Sequence, residues 1–382
     1  MTSSVSPEKR IKVGVIFGGR SPEHEVSLVS AASVIGALDP QKYEVLPIGI
    51  TPEGRWLASS DAMKLLKEKT PVDRYPEHTI VPNPLHRGLI SLNRSLTSPA
   101  LYRVDVLFPI LHGVFGEDGT IQGLFELAGI PYVGAGVLGS AIGMDKVIQK
   151  QLLRQAGIPV APDMWFTSDE FNKNRKKILA SVSRSIRFPA FVKPANLGSS
   201  IGISKALNVK ELEAAINLAS GYDRKILVEK AVPRAREIEC SVLGNDNPVA
   251  SVPGEVIPSN EFYDYDAKYV DGKSKAIVPA KLPGPMVRKI QDLSIRAFRV
   301  LDCAGMARVD FLVPAASPKV FLNELNTIPG FTSISMYPKL WQASGLSYPD
   351  LLDRLIQLAL ERYEARSHLQ TAYKPKSGWY KQ

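Results

Sequence analysis

The sequence is poor in cysteine, with only Cys240 and Cys303 among its 382 residues. Two cysteines so far apart exclude a disulfide framework and a cysteine-rich zinc site, and they favour a reducing compartment such as the cytoplasm. No run of about 18 apolar residues is present, so we expect no membrane-spanning helix. The first residues, MTSSVSPEKR, also lack the apolar stretch of a secretory signal. We therefore expect a globular cytoplasmic protein without a membrane partner.

Acidic residues are missing from one stretch of the chain. Residues 171–210 carry nine Lys or Arg and no Asp or Glu, which equals the net charge of +9 of the whole sequence. Such an excess is typical either of a nucleic-acid surface or of a smaller field directed at a compact polyanion. For the run NKNRKK within it, a solvated helix face is the simpler interpretation.

Alternating strand and helix patterns characterise the first 140 or so residues. The apolar run IKVGVIFGG predicts a buried strand, a helix is expected from about Glu25, and YEVLPIGIT predicts a second strand. This βαβ pattern indicates an open, parallel α/β domain. Between Leu57 and Arg103 the pattern gives way to Pro, Asn, Ser and charged residues, so we predict an irregular insertion there.

The remainder of the chain mixes hairpins with helices, which indicates an α+β organisation. A new unit is predicted to begin with the helix at Met144. Thr167 and Glu170 have the spacing of a capping box, Asn208 precedes another helical pattern, and Ser347 with Asp350 precedes a last amphipathic helix.

The segment GAGVLG, residues 134–139, matches the dinucleotide fingerprint GxGxxG. However, the strand before it is too short, and the segment does not open the first βαβ unit of its domain. No GxxxxGK[ST] phosphate loop occurs anywhere in the chain. An NAD-dependent oxidoreductase therefore stays an alternative, and a nucleotide would have to be held in another way.

Four polar residues interrupt the two apolar strands of the predicted hairpin GMARVDFLVPAASPKVFLNELN. Arg308 and Asp310 share one strand face, as do Glu324 and Asn326, because side chains two apart in a strand point the same way. A cation beside carboxylate and amide oxygens suits Mg²⁺ with a bound phosphate rather than zinc. A surface salt bridge across the hairpin is the alternative, but it leaves the apolar character of the strands unexplained.

The segment KPANLGSSIGIS places Lys193 at a strand end before a Gly/Ser loop. Backbone N–H groups of such a loop can close over phosphates, and Lys146 offers a second positive charge. Glu23 lies near the start of the first helix, where it either caps the helix or meets a cation such as an ammonium group. His112 is by residue type a core or turn histidine. The aromatic segment FYDYDAKYVDGKSK is either a lid or a surface loop.

Several blocks together resemble a known family over nearly the full length of the chain. The blocks are GGRSPEHEVS, LHGVFGEDGTIQG, GMDK, KPANLGSSIG, LVEKAV, YDYDAKY, RVDF and NELNTIPGFTSISM. They resemble the ATP-grasp ligases, and specifically the D-alanine–D-alanine ligase family. The resemblance implies an N-terminal open parallel α/β domain at 1–143 and a two-lobed ATP-grasp domain. Its central lobe would span 144–225, and its C-terminal lobe with the metal site would span 226–382.

This resemblance implies ATP-dependent ligation of two D-alanine molecules through an acyl phosphate, for peptidoglycan precursor synthesis. It also implies ATP and two Mg²⁺ or Mn²⁺ ions as cofactors, a homodimer, and no nucleic-acid partner. A D-alanine–D-lactate ligase is one alternative, although such enzymes typically carry a His-containing lid where this chain has YDYDAKY, so Tyr269 favours an amine acceptor. A non-catalytic nucleotide-binding protein is another alternative.

The same resemblance implies roles for individual residues. The residues implied to bind the ATP phosphates are Lys146, Lys193, Ser200 and Lys268. Those implied to bind the adenosine part are Glu229, Lys230, Ala231, Val232 and Glu237. The metal ligands are Asp310, Glu324 and Asn326. The residues implied to contact the first D-alanine and the reacting groups are Glu23, Ser199, Tyr269, Arg308 and Gly330. The substrate-binding residues are His112, Ser335 and Met336.

Overall fold

The computed structural model describes residues 10–92, 101–198, 200–257, 275–315, 317–332 and 334–370. The first sheet has the strand order β3-β2-β1-β7, in which β1 runs parallel to β2 and β7. Side chains of β1 enter a core on each side of the sheet, as Val15 and Phe17 do on one face and Ile16 on the other. This confirms the predicted open α/β unit. The elements are β1 Ile11–Gly18, α1 His24–Ala37, β2 Tyr43–Ile50, β3 Trp56–Ala58 and β7 Val106–Ile110.

The prediction of an irregular insertion between Leu57 and Arg103 was wrong. Besides β3, the described residues of this region form one short helix and a three-stranded antiparallel sheet, in the order β4-β5-β6. Ile80 and Leu89 attach the small sheet to the core beneath the main sheet. Strands of three or four residues are too short to show a period in the sequence. The elements are α2 Ala62–Lys67, β4 His78–Ile80, β5 Gly88–Ser91 and β6 Leu101–Arg103.

Three helices follow β7 and lead into a second, antiparallel sheet of order β10-β9-β11-β8. Two further helices, α6 and α7, cover one face of this sheet with an apolar core. The two caps predicted for α6 and α7 are confirmed, since Thr167 and Glu170 form a capping box and Asn208 accepts a bond from Glu211 N–H. The elements are α3 Thr120–Ala128, α4 Val137–Met144, α5 Lys146–Gln155, β8 Asp163–Thr167, α6 Ser168–Ser185, β9 Ala190–Pro194, β10 Ser204–Ala206, α7 Val209–Ser220 and β11 Lys225–Lys230.

The third sheet has the order β15-β14-β12-β16-β17, with β13 paired to β12. Helix α8 packs on it through residues such as Ile290 and Phe298. Strands β16 and β17 form the predicted hairpin. The elements are β12 Ala235–Gly244, β13 Val249–Ala250, β14 Gly254–Ile257, β15 Lys275–Ile277, α8 Gly284–Val300, β16 Gly305–Pro314, β17 Phe321–Asn326, α9 Met336–Ala343 and α10 Tyr348–Ser367.

Helix α10 joins the end of the described chain to its beginning. The side chains of Leu355 and Ile356 are completely buried, and they share a core with Val13 and Phe108 of the first sheet. Ser347 caps this helix by accepting a bond from Asp350 N–H, as predicted. Among the described residues, no helix combines the length and the apolar character needed to cross a membrane.

Candidate active site

A cleft of about 560 Å³ opens between the second and third sheets. Its walls come from β9, from the β11–β12 connection and from the hairpin β16–β17. The residues singled out from the sequence that line it are Lys193, Ser200, Ala231, Val232, Glu237, Arg308, Asp310 and Glu324. The fold therefore brings the predicted phosphate, adenosine and metal groups to one cleft.

The metal group lies on the hairpin, where Arg308 is opposite Asn326 and Asp310 is opposite Glu324. Arg308 donates from Nε and Nη2 to the two Asp310 oxygens at 2.8 and 2.7 Å, and Asn326 Nδ2 donates to Asp310 Oδ2 at 3.0 Å. Arg308 Nε also lies 3.0 Å from Glu239 Oε2. Burial alone would lower the pKa of Arg308, but the Asp310 and Glu239 carboxylates raise it.

This donor set fits Mg²⁺ bound together with a phosphate. In the described part of the chain, no three His, Cys, Asp or Glu side chains are grouped to hold a metal by themselves. Mg²⁺ commonly uses only one or two carboxylates and completes its shell with water and substrate phosphate. Asp310, Glu324 and the amide of Asn326 supply oxygen atoms of that kind beside the cleft.

Two lysines bring positive charge to the phosphate end of the cleft. Lys146 begins helix α5, which Asp145 caps, and its Nζ donates to Leu197 O at 2.6 Å and lies 3.5 Å from Glu324 Oε2. Lys193 Nζ lies 2.5 Å from Glu229 Oε2. Burial disfavours the charged form of Lys193, but the surrounding carboxylates raise its pKa. The raised pKa keeps the ammonium group of Lys193 charged at neutral pH, beside the predicted position of the phosphates.

Two members of the predicted adenosine segment do not face the cleft with their side chains. The carboxylate of Glu229 is buried between the ammonium groups of Lys193 and Lys150. These two charges outweigh the effect of burial and hold the pKa of Glu229 at about 2. The Lys230 side chain is exposed, whereas Ala231 and Val232 line the cleft. Lys150 did not emerge from the sequence analysis, although its i+4 spacing from Lys146 on one helix face is a usable signal.

Glu23 occupies the N-cap position of α1, yet its side chain caps no N–H group. It is 6% exposed and faces the loops that follow β7 and β9. A β-carbon added at Gly113 or Gly198 would lie 2.7 or 2.9 Å from Glu23 Oε2, so both backbones approach the carboxylate closely. The structure therefore does not support the helix-capping interpretation of Glu23, and a contact with a cation stays a prediction.

His112 lies in the same region, at the end of the strand β7. It is buried, with Nδ1 3.5 Å from Glu117 Oε1 and Nε2 3.3 Å from Ser30 Oγ. Burial would lower the pKa of His112, but Glu117 and the more distant charge of Glu23 raise it. The Glu117 carboxylate thus favours the protonated form of the ring, and substrate binding by His112 stays a prediction.

The predicted acceptor residues lie around the start of α9. Thr332 N–H donates to Ser335 Oγ at 3.0 Å, and a β-carbon at Gly330 would lie 2.8 Å from that hydroxyl. Ser335 is the N-cap of α9, but its hydroxyl turns to the preceding loop instead of capping the helix. The N–H groups at the start of a helix attract a carboxylate. Met336, the first residue of α9, is buried.

The predictions for Ser199, Lys268 and Tyr269 lie outside the described residues, as does most of the predicted lid, 262–274. Their roles stay predictions.

Of the three glycines of GAGVLG, Gly139 is the closely packed one, since an added β-carbon would lie 3.6 Å from its nearest neighbour at Gly134 and 3.8 Å at Gly136. A β-carbon at Gly139 would lie 2.4 Å from Asp302 O, and one at Gly305 would lie 3.1 Å from Gly134 N. The segment therefore packs against residues 301–305 of the third sheet's domain. This contact explains the last glycine of the motif without a dinucleotide, and the NAD-dependent alternative is not supported.

Comparisons with known proteins agree with this geometry. Residues 12–135 match the family model "D-ala D-ala ligase N-terminus", and residues 152–357 match "D-ala D-ala ligase C-terminus". The chain belongs to the D-alanine–D-alanine ligase family. It is thus an ATP-dependent ligase with the ATP-grasp fold.

Relatives in this ligase family match almost end to end. The D-alanine–D-alanine ligase of Natranaerobius thermophilus is 50% identical over 96% of this chain and 99% of its own. That of Chloroherpeton thalassium is 49% identical over 93% and 98%. Among solved structures, the D-alanine–D-alanine ligase from Coxiella burnetii matches with a TM-score of 0.81, 37% identity, and 94% and 96% coverage. The VanG D-Ala:D-Ser ligase from Enterococcus faecalis matches with a TM-score of 0.81, 36% identity, and 92% and 100% coverage.

Proposed function

We propose that the protein joins two D-alanine molecules to D-alanyl-D-alanine with ATP, for peptidoglycan precursor synthesis. One observation carries the proposal. The loop that follows Lys193 connects the phosphate lysines to Glu23, because Lys146 Nζ binds Leu197 O and a β-carbon added to the next residue, Gly198, would lie 2.9 Å from Glu23 Oε2. Cations for ATP and a carboxylate for an amino-acid ammonium are thereby held by one segment.

The first step brings two anions together, the carboxylate of D-alanine and the γ-phosphate of ATP. Two unit charges about 4 Å apart repel by about 4 kcal/mol at an effective dielectric near 20. Lys146, Lys193 and Arg308 reduce this repulsion, while Glu23 orients the substrate through its ammonium group. The products are an acyl phosphate and ADP.

In the second step the amine of the other D-alanine attacks the acyl phosphate, and phosphate leaves from a tetrahedral intermediate. We assign the developing oxyanion to Arg308 and the Gly330 N–H group. The carboxylate of this second D-alanine is assigned to Ser335, Met336 and the start of α9. Water would destroy the acyl phosphate, so the segment around Lys268 and Tyr269 is proposed as the lid that excludes it.

We further propose two Mg²⁺ or Mn²⁺ ions, a homodimer and a cytoplasmic location. Asp310, Glu324 and Asn326 would hold the ions, which when bound neutralise phosphate charge. The homodimer rests on the family resemblance. The location rests on the use of ATP and on Cys240 and Cys303, which are both free and buried. Burial raises the pKa of the Cys240 thiol to about 11.

Substrate choice is tested by ADP release with D-alanine, D-serine, D-lactate and L-alanine, each alone and the last three also mixed with D-alanine, with identification of the products. We expect D-alanine alone to support turnover to D-alanyl-D-alanine. A mixed product formed in preference from D-alanine and D-serine or D-lactate would contradict the proposed acceptor. ATP binding without turnover on any of these compounds would indicate a nucleotide sensor.

The metal assignment is tested with Glu324→Gln, which keeps the shape of the side chain and removes its charge. We expect Mn²⁺ binding in the presence of a non-hydrolysable ATP analogue to weaken, and kcat to fall by at least about 100-fold. Electron paramagnetic resonance of Mn²⁺ measures the first quantity independently of activity. Glu361→Gln on α10, an exposed member of a surface ion pair, is the matched control. Unchanged Mn²⁺ binding in Glu324→Gln would refute the assignment.

A further inference from the structure

A closed ring of polar contacts lies at the phosphate end of the cleft. Lys150 Nζ lies 2.5 Å from Glu229 Oε1, and Lys193 Nζ lies 2.5 Å from the other carboxylate oxygen, Oε2. Lys193 Nζ also donates to Asn323 Oδ1 at 3.3 Å, and Lys150 Nζ donates to Asn323 O at 2.9 Å. We name these four residues, Lys150, Lys193, Glu229 and Asn323, the phosphate-end ring.

The phosphate-end ring connects parts of the chain that are far apart in sequence. Lys150 belongs to α5, Lys193 and Glu229 to neighbouring strands of the second sheet, and Asn323 to β17 of the third sheet. Lys150 is 1% exposed and Glu229 is 4% exposed. Charges so far from water persist only when other groups in the protein compensate them. The position of each ammonium group therefore depends on the other members of the ring.

Asn323 occupies an irregular position in β17. Asp310 pairs with Glu324, but the next residue, Phe311, pairs with Leu322, so Asn323 is skipped in the pairing with β16. Such a bulge redirects a residue away from the regular ladder. Here it allows both the side chain and the backbone carbonyl of Asn323 to receive lysine hydrogen bonds, immediately beside the proposed metal ligand Glu324.

The neighbouring residue of α5 strengthens this connection. Gln149 Oε1 accepts from Leu325 N–H at 3.0 Å, and its Nε2 donates to Leu325 O at 3.2 Å. The Gln149 side chain thus takes the place of a strand partner at the outer edge of β17. Together, Gln149 and Lys150 hold residues 323–325 from α5, the same helix whose first residue is Lys146.

We propose that Lys150 and Asn323 are positioning residues for the ATP phosphates, which they reach through Glu229, Lys193 and the bulge of β17. This inference rests on the proposed ATP-dependent function. Lys150 shares the Glu229 carboxylate with Lys193, so without Lys150 the carboxylate binds Lys193 alone and competes with phosphate for it. Without the Asn323 side chain, Lys193 loses the contact that directs it toward β17 and Glu324.

The test separates the phosphate end of ATP from its adenosine end. Titration calorimetry measures the affinities of Lys150→Met for AMP-PNP with Mg²⁺ and for AMP. We expect AMP-PNP affinity to fall about tenfold to a hundredfold, as is typical when a supporting residue is lost, and AMP affinity to stay the same. Retained AMP binding also shows that the variant is folded. Lys177→Met, at an exposed lysine of α6, is the matched control and should match the wild type. Equal losses for AMP and AMP-PNP, or no loss, would overturn the proposal.

A double-mutant cycle tests the route through Glu229. If Lys150 acts on Lys193 through this carboxylate, Lys150→Met should have little further effect on AMP-PNP affinity once Glu229→Gln is present. Additive losses would contradict that route. Asn323→Ala leaves its backbone carbonyl for Lys150 and is the second variant if Lys150→Met fails to fold. We expect it to weaken AMP-PNP binding severalfold without affecting AMP, and unchanged AMP-PNP affinity would overturn the role of Asn323.

These binding measurements contain no D-alanine, so they are independent of the ligase reaction itself. Wild-type protein that binds AMP-PNP but does not turn over D-alanine would refute the proposed function and leave the ring open to the same calorimetric test. Wild-type protein that is active while the ring variants bind AMP-PNP normally would refute the ring alone.

Discussion

The chemistry of single residues in this protein depends on charged groups that are buried in pairs or triplets. Glu229 is held by two lysines, and Arg308 is held by Asp310 and Glu239. Exposed ion pairs contribute little to stability, because water and salt screen them. Buried groups interact more strongly, so the partner of each charge decides its protonation state.

His112 gives this principle a measurable consequence. Its pKa in the folded protein is raised, chiefly because Glu117 outweighs the effect of burial, whereas in the unfolded chain it is about 6.5. Protonated His112 therefore stabilises the fold fully below about pH 6.5, and this contribution is lost as pH rises through the raised pKa. We expect Glu117→Gln to abolish this alkaline loss of Tm, as measured by thermal unfolding between pH 5.5 and 9. A Glu117→Gln profile parallel to that of the wild type would contradict the pairing. Glu361→Gln is the control.

At the scale of helices and strands, the space around a glycine shows whether close packing requires it. Helix α3 contains one internal glycine, Gly123, and α4 contains two, of which Gly139 belongs to the GAGVLG segment. Gly123 has no atom within 4 Å of an added β-carbon, whereas Gly139 would place one 2.4 Å from the Asp302 backbone oxygen. The last glycine of the GxGxxG match therefore reflects the contact of α4 with residues 301–305.

Alanine substitution at these two glycines tests that interpretation. We expect Gly123→Ala to stabilise the protein slightly, by about 0.5–1 kcal/mol, because alanine is the better helix former. Gly139→Ala should destabilise it by about 1–3 kcal/mol, because the added methyl group displaces packed backbone. Urea unfolding of both variants measures the difference. Equal stability of the two variants would contradict the packing role of Gly139.

Local patterns predicted most of these elements correctly. The capping box at Thr167, the helix start at Asn208 and the pairing of β16 with β17 each depend on residues within one element or one hairpin. The small sheet β4–β6 was missed, because its strands are stabilised by contact with the main core rather than by their own pattern.

At the scale of the whole molecule, α10 joins the described C-terminal residues to the first sheet. Leu355 is completely buried in a core that includes Val13 and Phe108. We expect Leu355→Ala to cost about 2–5 kcal/mol, measured by urea unfolding, and to increase amide hydrogen exchange in β1 and β7. Leu127→Ala on α3, where the leucine is 66% exposed, should have little effect. Normal protection of β1 and β7 in Leu355→Ala would contradict this coupling.

The net charge of +9 also has its explanation at this scale. The basic run lies on α6, where Lys173 pairs with Asp169 at 2.7 Å and Arg175 pairs with Glu213 of α7. Lys176 and Lys177 are exposed on the same helix. The prediction of a solvated helix face is therefore confirmed. Further along the same stretch, residues 171–210, the basic residues Lys193 and Lys205 line the cleft, together with Ser200.

Motifs of neighbouring residues were sufficient to predict the open α/β unit and the hairpin with Asp310 and Glu324, and the resemblance of several such motifs indicated the ligase family. Capping, strand alternation and short motifs all involve residues that are close in sequence. The path of α10, the small sheet and the phosphate-end ring depended on the tertiary structure. Lys150 and Asn323 are 173 positions apart. No local pattern pairs residues at such a distance, because only the packing of α5 against β17 brings their polar groups together and removes the water that would otherwise separate them.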